Sequence, residues 1–197
     1  MNIDDFIQSK QSGECRLLKG LYEFLRVPYN EGGNWISGLG LLDIEPYGGT
    51  ILYDPRMTPT NTLAFATTGG DDVHFGMLLT DGGFGDASPI VMTVPMADKD
   101  PMNCNFIVGE TLHDFLCLGC VHGFFSLEKL AYTWCTELFS EYGRPEEPSD
   151  NQINYERFRA AFSLSHWPEI EQRQKELDSR YKPKLEFRKA KTRWKLW

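Results

Sequence analysis

The chain has 197 residues, and its 41% hydrophobic and 24% charged side chains exclude a disordered protein and suit one well-buried core. Its net charge of −8 divides unevenly, with 8 Lys/Arg against 22 Asp/Glu in residues 1–150 and 12 against 6 in residues 151–197. Because an acidic body repels nucleic acid and attracts basic molecules, this division argues against nucleic acid and for a basic protein partner.

The N-terminal segment, Met1-Asn-Ile-Asp-Asp5, lacks the basic flank and apolar stretch of a secretory signal. No apolar run approaches the roughly 20 residues that a membrane-spanning helix needs. We therefore expect a cytoplasmic protein without membrane contact, in which the five cysteines are reduced and mostly buried.

Helical periodicity opens the chain, and strand periodicity occupies its centre. Leu17, Leu18, Leu21 and Leu25 share one helical face and predict a helix that ends before Pro28. The predicted strands, separated by turn residues, are 50–53, 62–67, 73–80, 89–94 and 105–108. No helical pattern lies between them, so we predict antiparallel pairing with residues 81–88 as a hairpin loop.

Helical patterns return in the second half of the chain. They cover residues 111–120, 124–139, 151–164 and 165–181, the last with Ser165 as its N-cap. These elements predict an α+β fold, with a central, mostly antiparallel sheet flanked by N-terminal and C-terminal helices. We expect one domain over residues 1–143 and a helical, basic extension over residues 144–197 that packs on it.

Acidic loop residues form the strongest candidate for a binding site. Six aspartates fall in predicted turns or strand ends of the central sheet: Asp71, Asp72, Asp81, Asp86, Asp98 and Asp100. Adjacent hairpin tips can meet at one edge of a sheet, where a concentrated negative patch attracts a basic partner. We assign these six residues and the nearby His74 to partner binding. The competing interpretation is that the loops are simply polar and solvated.

Asp72 and His74 suggest a second hypothesis, because they share one face if both lie in a strand. A carboxylate beside a histidine orients the imidazole as a base, as in a small hydrolase-like or metal-dependent enzyme. The alternative is a turn carboxylate followed by a hydrogen-bonded histidine on the sheet. No nucleophile, phosphate-loop or zinc-protease motif accompanies the pair, so we favour the non-catalytic interpretation.

Cys117 and Cys120 have the spacing of a zinc knuckle, with His113 and His122 nearby. A single pair of this kind in an apolar helix is more typical of buried cysteine, which packs as a small hydrophobic residue. We therefore predict no metal and no other cofactor.

The basic end carries aromatic residues among its charges, including Arg193, Trp194, Lys195 and Trp197. Such a segment fits nucleic-acid binding, which is the third hypothesis, since bases stack on aromatic rings. Folding back onto the acidic body, with the aromatic side chains docked there, accounts for the same composition and is preferred.

Three stretches together resemble the SUKH superfamily, which comprises bacterial toxin-immunity proteins and related fungal regulators of cell-wall synthesis. They are LAFATTGGDDVHF (63–75), SPIVMTVP (88–95) and NFIVGETLHDFL (105–116), within a likeness that covers residues 38–142. The resemblance implies an α+β fold and an immunity role, in which the protein binds and neutralises a toxin such as a basic nuclease. It implies no catalytic residues.

Overall fold

The computed structural model describes residues 13–26, 33–42, 54–132, 135–142 and 152–188. In chain order its α-helices are α1 (Arg16–Leu25), α2 (Leu112–Gly119), α3 (Cys135–Tyr142), α4 (Gln152–Phe162) and α5 (Ile170–Tyr181). Its strands are β1 (Gly40–Leu41), β2 (Thr62–Thr67), β3 (His74–Leu78), β4 (Ile90–Thr93) and β5 (Asn105–Gly109). Short 3₁₀ helices cover Pro101–Cys104, Phe125–Ala131 and Lys182–Lys184. The predicted α+β class is confirmed.

The five strands form one antiparallel sheet in the order β1-β2-β3-β4-β5. Consecutive antiparallel neighbours place their connections at alternating ends of the sheet. The β2–β3 and β4–β5 connections share the end where Thr67, His74, Thr93 and Asn105 are paired across the strands; we call it the His74 end. The β3–β4 connection lies at the opposite end, beside the pair Thr62 and Leu78, which we call the Leu78 end.

The β2–β3 connection is a tight turn with an unusual backbone. The Val73 amide donates to the Gly70 carbonyl at 2.9 Å, and the two residues between them, Asp71 and Asp72, have φ values of 46° and 57°. Two consecutive positive φ values define a type I′ turn, which matches the twist of the flanking strands and favours Asn-Gly at these positions. Both aspartates are therefore held outward at the tip of the hairpin.

The core centres on aromatic side chains between the sheet and α2. The Phe115 ring lies with its centroid 4.9 Å from that of Phe75 and 4.5 Å from that of Phe124. Gly119 makes room for this cluster, because a Cβ at that position would stand 2.1 Å from the Phe124 ring. Offset and tilted aromatic pairs of this kind stabilise a core beyond the burial of their area.

Helix α5 closes the outer edge of the sheet. The Asp178 carboxylate accepts a hydrogen bond from the Ile107 amide of β5 at 2.7 Å, and Lys182 lies 2.9 Å from the same carboxyl group. Burial raises the pKa of Asp178, against the opposing effects of these two partners. An edge strand covered in this way is withdrawn from pairing with another chain.

Two predicted helices differ from those observed. The helix expected over 124–139 is divided, since Tyr132 is extended and separates the 3₁₀ helix from α3. The last helix begins at Ile170, so the prediction of Ser165 as its N-cap is wrong. Pro168 explains the shift, because a residue that precedes proline is pushed out of helical conformation. The strand predicted over 50–53 lies outside the described residues.

Candidate partner-binding surface

The six aspartates do not form one surface, and the expectation that they all converge is wrong. Asp71 and Asp72 in the β2–β3 turn share the His74 end with Asp98 and Asp100 in the β4–β5 connection. Asp81 and Asp86 lie in the β3–β4 connection, at the Leu78 end. Antiparallel order produces this division, since every second connection returns to the same end.

Asp86 serves the fold rather than a surface. Its carboxylate accepts hydrogen bonds from the amides of Leu17 at 2.7 Å and Leu18 at 2.9 Å, in the first turn of α1. A carboxylate in this position satisfies amides that have no partner inside the helix and interacts favourably with the helix dipole. Asp86 is therefore removed from the predicted binding set.

Asp98 and Asp100 are both exposed and fixed by their own loop. Asp98 accepts from the Asp100 amide at 2.8 Å, and Asp100 accepts from the Met102 amide at 3.0 Å. The hydrogen bond from Asp100 is the main cause that lowers the pKa of Asp98. The connection thus presents both carboxylates in a defined backbone geometry.

Glu128 lies near the acidic side chains of the His74 end, although its position in the sequence does not indicate this. It follows Phe125 in the 3₁₀ helix, and its pKa is raised by burial and by the nearby charge of Asp71. The helical pattern over residues 124–139 includes Glu128 but does not single it out. The 3₁₀ geometry, which a helical pattern does not reveal, directs it toward the β2–β3 turn.

Exposed apolar side chains collect at the same end of the sheet. Among the described residues, six large hydrophobic side chains are exposed, and four of them belong to segments at the His74 end: Trp35 (43%), Met96 (79%), Phe125 (50%) and Tyr132 (37%). Segment 33–39 reaches this end because it leads directly into Gly40, which pairs with Thr67.

Contacts join the 33–39 segment, the 3₁₀ helix and the β2–β3 turn, and the β4–β5 connection lies at the same end of the sheet. The Phe124 amide donates to Ser37 at 2.7 Å, and a Cβ on Gly70 would stand 3.7 Å from the Phe125 ring. Burial raises the pKa of Tyr132, and Glu128 and Asp71 raise it further. We define the acidic-aromatic surface as Trp35, Asp71, Asp72, Met96, Asp98, Asp100, Phe125, Glu128 and Tyr132.

His74 lies beneath this surface and is 1% exposed. Its Nδ1 donates to the backbone carbonyl of Asp72 at 2.8 Å, and its Nε2 lies 3.2 Å from the Thr58 hydroxyl. The predicted pairing of His74 with the Asp72 carboxylate is therefore wrong, as is the assignment of His74 to a binding surface. Burial lowers the pKa of His74 to about 4, so the imidazole is neutral at neutral pH.

His74 belongs to a row of buried polar side chains that crosses three strands. His74, Thr93 and Asn105 are register partners, and the Thr93 hydroxyl donates to the Asn105 amide oxygen at 2.7 Å. The Asn105 amide nitrogen donates to the carbonyls of Met57 at 2.8 Å and Pro101 at 2.7 Å. The row fastens the 54–58 segment and the β4–β5 connection to the sheet, so it supports the acidic-aromatic surface from below.

A cleft of about 620 Å³ lies elsewhere, between α3 and the start of α5. Phe139, His166 and Ile170 are among its lining residues, whereas neither Asp72 nor His74 contributes to it. His166 is engaged with the Tyr142 carbonyl at 2.7 Å. The cleft therefore does not supply the pocket that the enzyme hypothesis requires around His74.

The Cys117 and Cys120 side chains are buried, with His113 Nδ1 3.7 Å from the Cys117 sulfur. His113 Nε2 faces the Phe162 carbonyl at 3.2 Å, and burial raises the pKa of the Cys117 thiol. Within the part of the chain that the structure describes, no group of three or more His, Cys, Asp or Glu side chains has metal-binding geometry.

Basic residues of the C-terminal helices pair with acidic residues of the body. Arg173 lies 3.1 Å from Glu110 and 3.0 Å from Asp114, and Arg180 also contacts Glu110. These bridges are examples of the intramolecular neutralisation expected from the charge division. The residues named for nucleic-acid binding, Arg193 to Trp197, lie outside the described residues.

No family model matches the chain, and no curated protein or solved structure is similar enough to match it. The likeness to the SUKH superfamily therefore stays a prediction from the three sequence stretches. Over the described ranges, no helix has both the length and the apolar character needed to cross a bilayer.

Proposed function

We propose that this protein is a non-enzymatic binding module whose acidic-aromatic surface binds a basic protein. The observation that carries the proposal is the coincidence of exposed carboxylates and exposed aromatic side chains at one end of a well-supported sheet. Interfaces are enriched in aromatic residues and Met at their centres and are polar at their rims. The surface has both components.

Each component has a separate physical role. Phe125 and Tyr132 supply apolar area that a partner can cover, which is where binding energy is usually concentrated. The carboxylates of Asp71, Asp98 and Asp100 attract a basic partner over distance and accelerate association, an effect that salt screens. Affinity for the partner should therefore fall as ionic strength rises.

The SUKH resemblance suggests the partner's class. An immunity protein in the bacterial cytoplasm neutralises a toxin, and many such toxins are nucleases with basic sites for phosphate. A carboxylate-rich surface suits that role, because it competes for the site that nucleic-acid phosphates occupy. The partner we propose is thus a basic toxin such as a nuclease.

The test uses a substitution that removes charge without harming the hairpin. Asp71→Asn/Asp72→Gly converts the turn to the Asn-Gly pair that a type I′ turn favours, so two carboxylates are lost and the backbone is kept. Asp81→Asn is the matched control, since it removes an exposed aspartate from the β3–β4 connection at the other end of the sheet.

Affinity capture from a bacterial lysate, at low and moderate salt, compares the three proteins. The expected result is a basic protein that binds the native chain and the Asp81→Asn control, binds Asp71→Asn/Asp72→Gly at least tenfold more weakly, and is released by salt. Equal binding by both variants would rule out the acidic-aromatic surface as the binding site.

A further inference from the structure

The Phe125 ring is bordered by two carboxylate residues of the acidic-aromatic surface. It packs beside the β2–β3 turn, since a Cβ on Gly70 would stand 3.7 Å from the ring, and Asp71 follows Gly70 directly. Glu128 comes three residues after Phe125 in the same 3₁₀ helix, where side chains at this spacing eclipse one another. The half-exposed ring therefore has Asp71 beside it in the turn and Glu128 beside it along the helix.

The described residues do not supply a cation for these carboxylates. Within the described ranges, no Lys or Arg forms an ion pair with Asp71 or Glu128. Lys129, the neighbour of Glu128, is bound to Glu141 at 2.7 Å. Burial and then the nearby charge of Asp71 raise the pKa of Glu128, so the two carboxylates repel each other. A cation bound between them would relieve this repulsion.

Another part of the chain shows which cation suits a ring with two carboxylates. The Arg173 guanidinium lies 5.7 Å from the centroid of the Trp167 ring. The same guanidinium pairs with Glu110 at 3.1 Å and with Asp114 at 3.0 Å. A guanidinium combines these contacts because its plane stacks on a ring while its five N–H donors reach more than one acceptor.

Lysine combines with a ring differently in this chain. The Lys182 ammonium lies 4.5 Å from the centroid of the Phe106 ring and pairs with the Asp178 carboxylate at 2.9 Å. An ammonium is a compact and strongly hydrated charge, whereas a guanidinium is planar and more weakly hydrated. A site that offers one ring and two carboxylates therefore favours arginine over lysine.

We infer that the acidic-aromatic surface binds an arginine side chain of the basic partner, with the guanidinium over the Phe125 ring and paired with Asp71 and Glu128. This inference rests on the proposed function and names the group that the surface recognises. Arginine is one of the residues in which the binding energy of interfaces is concentrated. The exposed ring supplies its apolar contact, and the two carboxylates supply the complementary charge.

Two peptides of equal charge separate arginine recognition from general attraction. Hexa-arginine amide and hexa-lysine amide are titrated into the isotope-labelled full chain, and amide chemical shifts in NMR spectra report where each peptide binds. Saturable shifts are expected at Asp71, Phe125 and Glu128, with much smaller shifts at Asp81, an exposed carboxylate of the Leu78 end. Hexa-arginine should bind at least about threefold more tightly than hexa-lysine, because a guanidinium gains more from the ring and the paired carboxylates.

Phe125→Leu tests the ring directly, because it removes the aromatic face and keeps an apolar side chain at an exposed position. The ratio of the two affinities should fall toward one. Leu79→Ala is the matched control, since Leu79 is 49% exposed at the Leu78 end and Phe125 is 50% exposed at the His74 end. This control should leave the ratio unchanged.

Equal affinities for the two peptides, or no binding of either, would overturn the inference. A preference for hexa-arginine that survives Phe125→Leu would also overturn it, as would shifts around Asp81 as large as those at the His74 end. These measurements need no natural partner. If a basic partner is captured through the surface while the two peptides bind equally, the proposed function stands and only the arginine contact is lost. If hexa-arginine is preferred and no partner is captured, the arginine contact stands and the proposed function is lost.

Discussion

The two ends of the sheet use the same residue type for different purposes. At the Leu78 end, the Asp86 carboxylate is committed to two helix amides, and Leu79 is the one large hydrophobic side chain exposed there among the described residues. At the His74 end, aspartates remain exposed beside aromatic side chains and above a buried polar row. Asp98 and Asp100 also accept backbone amides, but within their own loop, where both residues stay exposed. An acidic loop residue is thus a candidate for binding where it remains exposed, and not where its carboxylate is committed to the amides of a helix, as that of Asp86 is.

The largest effect that would test this comparison is expected at Asn105. Replacing Asn105 with Ala leaves the carbonyls of Met57 and Pro101 without their donor and removes the acceptor for Thr93. Buried polar groups left without partners cost about 1–3 kcal/mol each, so the free energy of unfolding should fall by about 3 kcal/mol. Urea denaturation measures this decrease in the free energy of unfolding.

Asn103→Ala is the control for that measurement, because Asn103 is exposed and lies two residues away. It should lower the free energy of unfolding by less than about 0.5 kcal/mol. If the two variants lose the same amount of stability, the buried row does not support the His74 end.

Low pH should destabilise the fold through His74, which is buried at the His74 end of the sheet. Its pKa is lowered to about 4 in the fold, so the folded chain binds fewer protons than the unfolded chain between about pH 6.5 and pH 4. The contribution of His74 is complete above pH 6.5 and is lost as the pH falls toward 4. Between pH 7.5 and pH 5, the loss of this contribution should lower the free energy of unfolding by about 2 kcal/mol.

His74→Gln isolates this contribution, because glutamine does not titrate. Burial raises the pKa values of Asp178 and Glu128, so protonation of these two groups favours the fold and opposes the effect of His74. The difference between the pH dependence of the native chain and that of His74→Gln is therefore the quantity to measure. Identical pH slopes would show that His74 is not a buried neutral imidazole.

Asp86→Ala tests the other side of the comparison. It removes the acceptor for the Leu17 and Leu18 amides and should lower the free energy of unfolding by about 1–2 kcal/mol. Binding of the partner should be unchanged after correction for the folded fraction. A loss of affinity as large as that of Asp71→Asn/Asp72→Gly would return Asp86 to the binding set.

The sequence predicted the sheet better than the surface. Strand β2 was predicted with its observed bounds, and antiparallel pairing followed from turn residues without intervening helices. Local periodicity carries that information. The roles of Asp86 and Asn105 depend on contacts 69 and 48 residues distant along the chain, which no local pattern encodes.

Glu128 and Tyr132 were missed for a related reason. Their stretch has the apolar spacing of an α-helix, yet Tyr132 is extended, with φ −124° and ψ 169°, and interrupts it. Packing of the Phe124 ring against Gly119 and hydrogen bonding of the Phe124 amide to Ser37 fix the preceding turn. Tertiary contacts outweigh the weak intrinsic preference for helix here.

The smallest expected effect on stability comes from Asp71→Asn/Asp72→Gly, and it separates folding from binding. Residues with a Cβ are disfavoured at positive φ, whereas glycine is not, so the variant should raise the free energy of unfolding by about 0.5 kcal/mol. The same variant should weaken partner binding. Stability and affinity then move in opposite directions, which misfolding of the hairpin cannot produce. If the variant loses both stability and affinity, these aspartates stabilise the turn. The difference between the two ends of the sheet would then depend on backbone conformation rather than on charge.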